Sequence, residues 1–345
     1  MSCCLPAIRV AAVGRNKLAA GAWDMFAQRC GASFRCAYNA LAAWQFAASG
    51  CNNYMPFRLR RFQIFSEDNG AKIGQCTIAI GHTQRVFVDG LQLLPAYQAF
   101  WELAMAALLA SLGPGRYRYG SRWNIEPSRE LDLQNLSGVN VELIEDLIVQ
   151  AIDFTCWKSW NDYFRQISNN ARRNAKRAST QHPTPTVQIR CGLLTILDVL
   201  AITSLHRNTL LRKNIKEASF EVLLSRFLFR FITKHKYSIT AVARAGGRTL
   251  AAFFGIEFGQ NTYYWTGGSR ADNRGVAWHL MLETIRHAYN RTHGSGKFLM
   301  GTVEESGLGW DNLAWSRKQC RAANFPTSIV TFTYRPAGGG DLSKI

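Results

Sequence analysis

Four consecutive segments decide how this chain folds: SITAVAR over Ser238–Arg244, RTLAAFFGIEF over Arg248–Phe258, TYYWT over Thr262–Thr266 and GVAWHLMLETIRHAYNRT over Gly275–Thr292. The first three are rich in β-branched and aromatic residues. Gly246-Gly247 and Gly259-Gln260-Asn261 separate them, residues that supply the positive φ angles of tight turns, so the spacing predicts an antiparallel meander. In the fourth, Ala277, Leu280, Met281, Thr284 and Ala288 recur every three or four residues, which predicts a helix with one buried side. A meander feeding a helix that packs back on it is an α+β unit.

Downstream, a short strand is expected at Lys297–Gly301 and a final strand at Ser328–Tyr334. Upstream, Leu193–Leu211 and Phe220–His235 read as helices, and Thr180–Thr186, with two prolines, as a loop. The first section of the chain repeats this outline. A helical pattern around Trp23–Gly50 leads to strands at Leu59–Ser66, Gln75–Ile80 and Val86–Leu93. Glu67-Asp68-Asn69-Gly70 is the turn signal between the first two. Phe100, Leu103, Ala104, Ala107 and Leu108 then mark a helix over Gln98–Leu112, stopped by Gly113-Pro114-Gly115, and Tyr117–Trp123 reads as a further strand. Gly70–Gly74 sits in the first half where Gly246–Leu250 sits in the second. The expectation is a duplicated α+β unit in two domains, 1–150 and 151–345.

With 345 residues and 47% hydrophobic content the chain can bury two cores, and it is excluded from disordered or fibrous classes. The longest apolar run, Tyr97–Leu112, is interrupted by Glu102 and is too short to span a bilayer. Met1–Gly14 lacks the uninterrupted apolar core of a secretory signal, so the chain is read as cytoplasmic. Nine cysteines, without a C-x-x-C and without a Cys/His cluster of zinc-site spacing, read as reduced and mostly buried thiols, and no metal is expected. G-x-S-x-G, Walker and G-x-G-x-x-G motifs are absent, which argues against hydrolase, kinase and dinucleotide chemistry.

Lys plus Arg number 41 against 23 acids, a net charge of +18. Such an excess points to a polyanionic partner. Part of it is focused in Phe154–Ser179, read as one helix with its basic part from residue 157. Phe164, Ile167, Ala171, Ala175 and Ala178 fall on one side of it. Arg165, Arg172, Arg173, Lys176 and Arg177 fall on the other. Two readings stand side by side, a solvated face and a surface for phosphates or nucleic acid.

These residues resemble a family. Leu205-His206-Arg207, then Val242–Ala252, then Tyr263-Tyr264-Trp265-Thr266-Gly267-Gly268, then Gly275–Ala288, preceded by the basic Trp160–Ala178, follow the order of the CelD-type and Fem-type acyltransferases. These are tandem GNAT folds, and the resemblance covers about Phe154 to Phe325. The chain departs from the family at Phe298-Leu299-Met300-Gly301, where an aspartate is usual.

The resemblance implies an N-acyltransferase that moves an acyl group from acyl-CoA or an acyl carrier protein to an amine. Transfer from aminoacyl-tRNA is the alternative, and a non-catalytic RNA-binding protein is a third. It further implies a splayed strand at Tyr264, Trp265, Thr266, Gly267 and Gly268. In the turn after it, Ser269, Arg270, Arg274 and Gly275 would cradle the donor's phosphates at the start of a helix. The competing reading of that turn is an ordinary helix cap at Asp272 or Asn273. Candidate bases are Glu304, Glu305 and His279.

Overall fold

The computed structural model describes residues 7–14, 20–39, 58–123, 125, 129–212, 219–271, 275–303 and 310–336. The chain forms two compact units, Met1–Leu147 with Pro326–Ile345, and Ile148–Phe325. Each is a mixed, mostly antiparallel sheet carrying helices, and together they are a duplicated GNAT-like fold.

In the first unit, β1 (Ile8–Val13), β2 (Arg58–Ser66) and β3 (Lys72–Ile80) are antiparallel neighbours. β4 (Arg85–Phe87) and β5 (Gln92–Leu93) both pair with β3. The helix Trp101–Leu112 then carries the chain to β6 (Gly115–Tyr119), which runs parallel to β4. One helical side packs Trp101, Ala104, Met105, Leu108 and Leu109 into a core with Ile64, Ile78, Phe87 and Tyr117. Of the side expected to be apolar only Ala104 and Leu108 enter this core, and Trp101, Met105 and Leu109 take the other places. Each large side chain so removed from water contributes about 1.5–3 kcal/mol.

β7 (Val139–Asp153) begins in this unit, and sequence reading missed it. Glu142 and Glu145 break its apolar alternation because they face Arg116 and Arg118, at 2.7 and 2.9 Å.

In the second unit the sheet order is the end of β7, then β12 (Lys297–Val303), β11 (Asn261–Ser269), β10 (Arg248–Phe258), β9 (Ser238–Ala245) and β8 (Thr186–Cys191). The meander β9-β10-β11 is antiparallel as expected, with Gly246 and Gly247 at φ 55° and 73° in its first turn. The helix Val276–Arg291 crosses to β12, which is parallel to β11. This strand–helix–strand step repeats the one in the first unit, and it is the structural content of the duplication.

Several expectations need correction. Phe154–Ser179 is two helices, Trp160–Gln166 and Asn169–Ser179. Ile167 is extended, and the Ser168 hydroxyl accepts from the Ala171 amide, so a serine cap starts the second helix. Phe164 consequently lies exposed, while Ile167, Ala171, Ala175 and Ala178 are buried. Leu193–Leu211 is a 3-10 stretch, Gly192–Asp198, followed by a helix, Val199–Arg212. Val86–Leu93 is two short strands around a left-handed Asp89. The last strand, β13 (Ala323–Tyr334), pairs with β6 in the first unit from Val330 to Tyr334. The second unit therefore stops at Phe325 and does not run to residue 345.

Asp198 ends that 3-10 stretch and is fully buried. It accepts from Thr240 Oγ1 at 2.7 Å and from Arg244 at 3.2 Å, and it also pairs with Arg190. Its carboxylate pins β8 and β9 to the start of the helix Val199–Arg212. Asp198→Ala would leave a buried hydroxyl and two half-buried guanidinium groups without their acceptor. We expect a loss of about 3 kcal/mol, seen as a fall in Tm of roughly 6–12 °C in thermal unfolding monitored by circular dichroism.

Candidate functional site

β11 and β12 pair only at Asn261↔Lys297, Thr262↔Phe298 and Tyr263↔Leu299. Beyond Tyr263 they part, while β11 stays paired to β10 as far as Ser269. A register shift between Phe254 and Gly255 leaves Trp265 as the extra residue of a bulge. The parting strands leave the last six residues of β11 without β12 as a partner on that side.

A cleft of about 170 Å³ opens there, lined by Thr209, Ala251–Phe253, Tyr264, Gly267–Ser269, Ala277, Leu280 and Met281. Its walls are β10, the distal part of β11, the first turns of the helix Val276–Arg291 and the end of the helix Val199–Arg212. It is mostly apolar, with a few polar groups, as small-molecule sites generally are.

Close packing fixes this geometry at two glycines. A Cβ on Gly268 would overlap the carbonyl of Leu205 and lie 2.6 Å from the His206 amide nitrogen. The Leu205-His206-Arg207 segment therefore marks where a helix backbone lies directly on the strand. His206 Nδ1 meets Thr266 Oγ1 at 2.9 Å and holds that contact. Gly275 begins the helix Val276–Arg291 in a left-handed conformation, φ 93°, with no side-chain cap. A Cβ on it would overlap the backbone of Asn174, 2.9 Å from its carbonyl carbon. The basic helix thus packs directly on the helix start, where the helix dipole favours an anion.

The expected donor residues divide. Tyr264, Gly267, Gly268 and Ser269 line the cleft. Trp265 packs instead against Val199, Ile202, Leu205 and Phe227, and Thr266 is buried against His206. Arg270 is exposed, and its Nε donates to the Thr249 carbonyl at 2.9 Å, so its side chain lies back along β10. Arg274 lies outside the described residues, as do Glu304 and Glu305. His279 sits in the first helical turn but is not among the cleft-lining residues, which on this helix are Ala277, Leu280 and Met281. Arg165, Arg173, Lys176 and Arg177 are exposed and Arg172 is half-buried.

Sequence reading missed Arg317. It is buried at 5% exposure in the helix Trp310–Gln319. Its Nη1 donates to the Thr302 carbonyl at 3.0 Å and approaches Gly301 O and Gln150 Oε1 at 3.5 and 3.4 Å. These acceptors belong to the diverging β12 and its neighbour β7. No carboxylate is among them. Burial lowers the guanidinium pKa to about 10, still well above neutrality, so a cation stands at the open side of the strand pair. Across from it Tyr264 is pushed up to about 12 by burial, with the Arg317 charge pulling it back in part. Its hydroxyl remains a proton-bearing donor and lies over Gly267. Nothing local in the sequence distinguishes Arg317 from a surface arginine.

Residues 165–305 match the family model of an acetyltransferase (GNAT) domain. That segment, within the second unit, is GNAT-like, and acyl or aminoacyl transfer is the class of reaction that the match supports. Among solved structures the fold is similar to the crystal structure of FemX, at a TM-score of 0.69 and 11% identity over 92% of this chain and 96% of that one. It is also similar to a conserved protein of unknown function from Bacteroides thetaiotaomicron VPI-5482, with a TM-score of 0.56 and 9% identity over 96% of this chain and 100% of that one. At these identities the likeness is one of fold. No curated protein matches by sequence. No helix among the described residues is long and apolar enough to cross a membrane.

Proposed function

We propose that the second unit is an N-acyltransferase that takes its acyl group from a thioester, acyl-CoA or an acyl carrier protein, and passes it to an amine. The parting of β11 and β12 over an apolar cleft carries this reading. A thioester arm laid along Gly267 and Gly268 meets strand backbone to bond with, and its phosphates reach the start of the helix Val276–Arg291. The neutral amine attacks the thioester carbonyl, a C–N bond forms and the C–S bond breaks. The products are an amide and a free thiol, and the amine's proton passes to a base or to water.

Tyr264 and Arg317 supply a donor hydroxyl and a cation where negative charge develops on the carbonyl oxygen. The first residues after β12, Glu304 and Glu305, are the proposed proton acceptors. Glu304→Gln is expected to lower kcat about 100-fold with little change in KM.

A second reading, aminoacyl-tRNA as donor, is favoured by one observation: the cation-bearing helix Asn169–Ser179 packs against the start of the donor helix. Incubating the protein with acetyl-CoA, a long-chain acyl-CoA and a charged tRNA pool, at low and high salt, separates the two. Saturable thioester binding supports the first reading. Tight, salt-sensitive tRNA binding without thioester binding overturns it in favour of the second. Changing Arg172, Arg173, Lys176 and Arg177 to Gln is expected to weaken a polyanionic donor at least tenfold at low salt and hardly at all at high salt.

A further inference from the structure

Cys191 at the end of β8, Glu257 near the end of β10 and His287 on the helix Val276–Arg291 are far apart in sequence, yet their sulfur, oxygen and nitrogen atoms lie within 4.8 Å of one another. We propose that these three side chains form a binding site for a soft divalent cation of the zinc class, independent of the acyl-transfer reading.

The donor set is the first reason. Thiolate, imidazole and carboxylate are the three protein ligands zinc takes, and three of them with one position open is the arrangement of an accessible site. The spacing is the second. Tetrahedral ligands at zinc's usual bond lengths stand about 3.4 Å apart for a nitrogen–oxygen pair and about 3.6 Å for a sulfur–oxygen pair. Here His287 Nε2 and Glu257 Oε1 are 3.2 Å apart, and Cys191 Sγ and Glu257 Oε2 are 3.8 Å apart.

The third reason is direction. His287 Nε2 and Glu257 Oε1 are both sealed from solvent, and neither makes a hydrogen bond of acceptable geometry despite that 3.2 Å separation. Two polar atoms in contact whose bonding directions miss each other are suited to a third body between them. Cys191 is exposed, so the site can be reached from solvent.

Arg291 bears on the site as well. Its Nε is 3.1 Å from Glu257 Oε1, and its terminal nitrogens donate to the Gly259 and Asn261 carbonyls. Those carbonyls hold the guanidinium beside the carboxylate, where it orients the ligand and offsets part of its charge. The rival arrangement is a metal-free ion cluster, in which the imidazolium donates to Cys191 and then to Glu257, and these acceptors hold it protonated up to about 9.

The cluster stands apart from the donor cleft along the shared helix. Six residues separate Met281, the last cleft-lining residue of that helix, from His287, a rise of about 9 Å. A cation here would tie β8, β10 and the helix together, so its effect is on stability.

The test uses the full chain, stripped with chelator and titrated with zinc in competition with a chromophoric chelator, and then with cobalt. We expect one equivalent of zinc bound, a thiolate-to-cobalt charge-transfer band, and a higher Tm with zinc. Cys191→Ser and His287→Ala should each weaken binding at least a hundredfold and remove the band or shift it, while Cys156→Ser, another exposed thiol, should leave both intact. Absence of binding at micromolar zinc overturns the proposal. So does zinc binding that persists undiminished in Cys191→Ser, which would put the metal on other thiols. Cys191 is exposed at a strand end, so its serine variant tests the site without disturbing a core.

Discussion

A Gly275→Ala protein is expected to bind a thioester donor at least tenfold more weakly and to lose about 3 kcal/mol of stability. Part of that cost is backbone, because alanine at φ 93° pays roughly 1–2 kcal/mol for a left-handed conformation. The larger part is steric. The new methyl would overlap Asn174 of the basic helix, and backbone cannot swing aside as a flexible side chain can. The two helices must separate, which moves the amides of the first turn away from the position proposed for the donor's phosphates. Gly247→Ala is the matched control. Gly247 is also left-handed, at φ 73°, but a Cβ there meets open space, so that variant should cost about 1 kcal/mol and leave donor binding unchanged. Calorimetric titration with acetyl-CoA and a thermal melt on both variants check the pair.

Arg317→Met should lower kcat by about 100-fold while leaving donor affinity close to its original value. Losing one preorganised donor to a developing oxyanion typically costs two to three orders of magnitude in rate. Among the described residues the buried guanidinium meets neutral acceptors, Thr302 O, Gly301 O and Gln150 Oε1, and these leave its charge for a reacting group. The variant leaves carbonyl acceptors on β12 without their donor, and some stability is lost with them. Arg317→Lys separates the two effects. It restores the charge as a compact ammonium without the planar fork, so it should recover part of kcat and little of the hydrogen bonding. Equal loss of kcat and donor affinity in Arg317→Met would mean a structural role only.

What the sequence made legible was local. The meander Ser238–Ser269 and the helix Val276–Arg291 announced themselves because strand alternation, glycine turns and helical spacing are written within a few residues of one another. Gly268 and Gly275 stood out as donor-site residues by resemblance, whereas their close approaches to Leu205 and Asn174 did not. Long-range facts were not legible. β7 was hidden because its acids answer arginines on another strand, as Glu142 answers Arg116. The helix break at Ile167-Ser168 was hidden because the basic spacing continues across it. Arg317 looked like any surface arginine, and only tertiary packing makes it a buried cation. Cys191, Glu257 and His287 have no motif spacing, because the sheet and the helix, not the local chain, bring them together.

The central claim is that the acyl donor lies in the cleft between the open side of β11 and the start of the helix Val276–Arg291. Hydrogen–deuterium exchange with and without a saturating acyl-CoA tests it most directly. The account predicts slowed exchange for the amides of Tyr264–Ser269 and of the first turn from Val276 to His279, with residues 58–119 of the first unit unchanged. Unchanged exchange at Tyr264–Ser269 under saturating donor, or protection confined to the first unit, would contradict it.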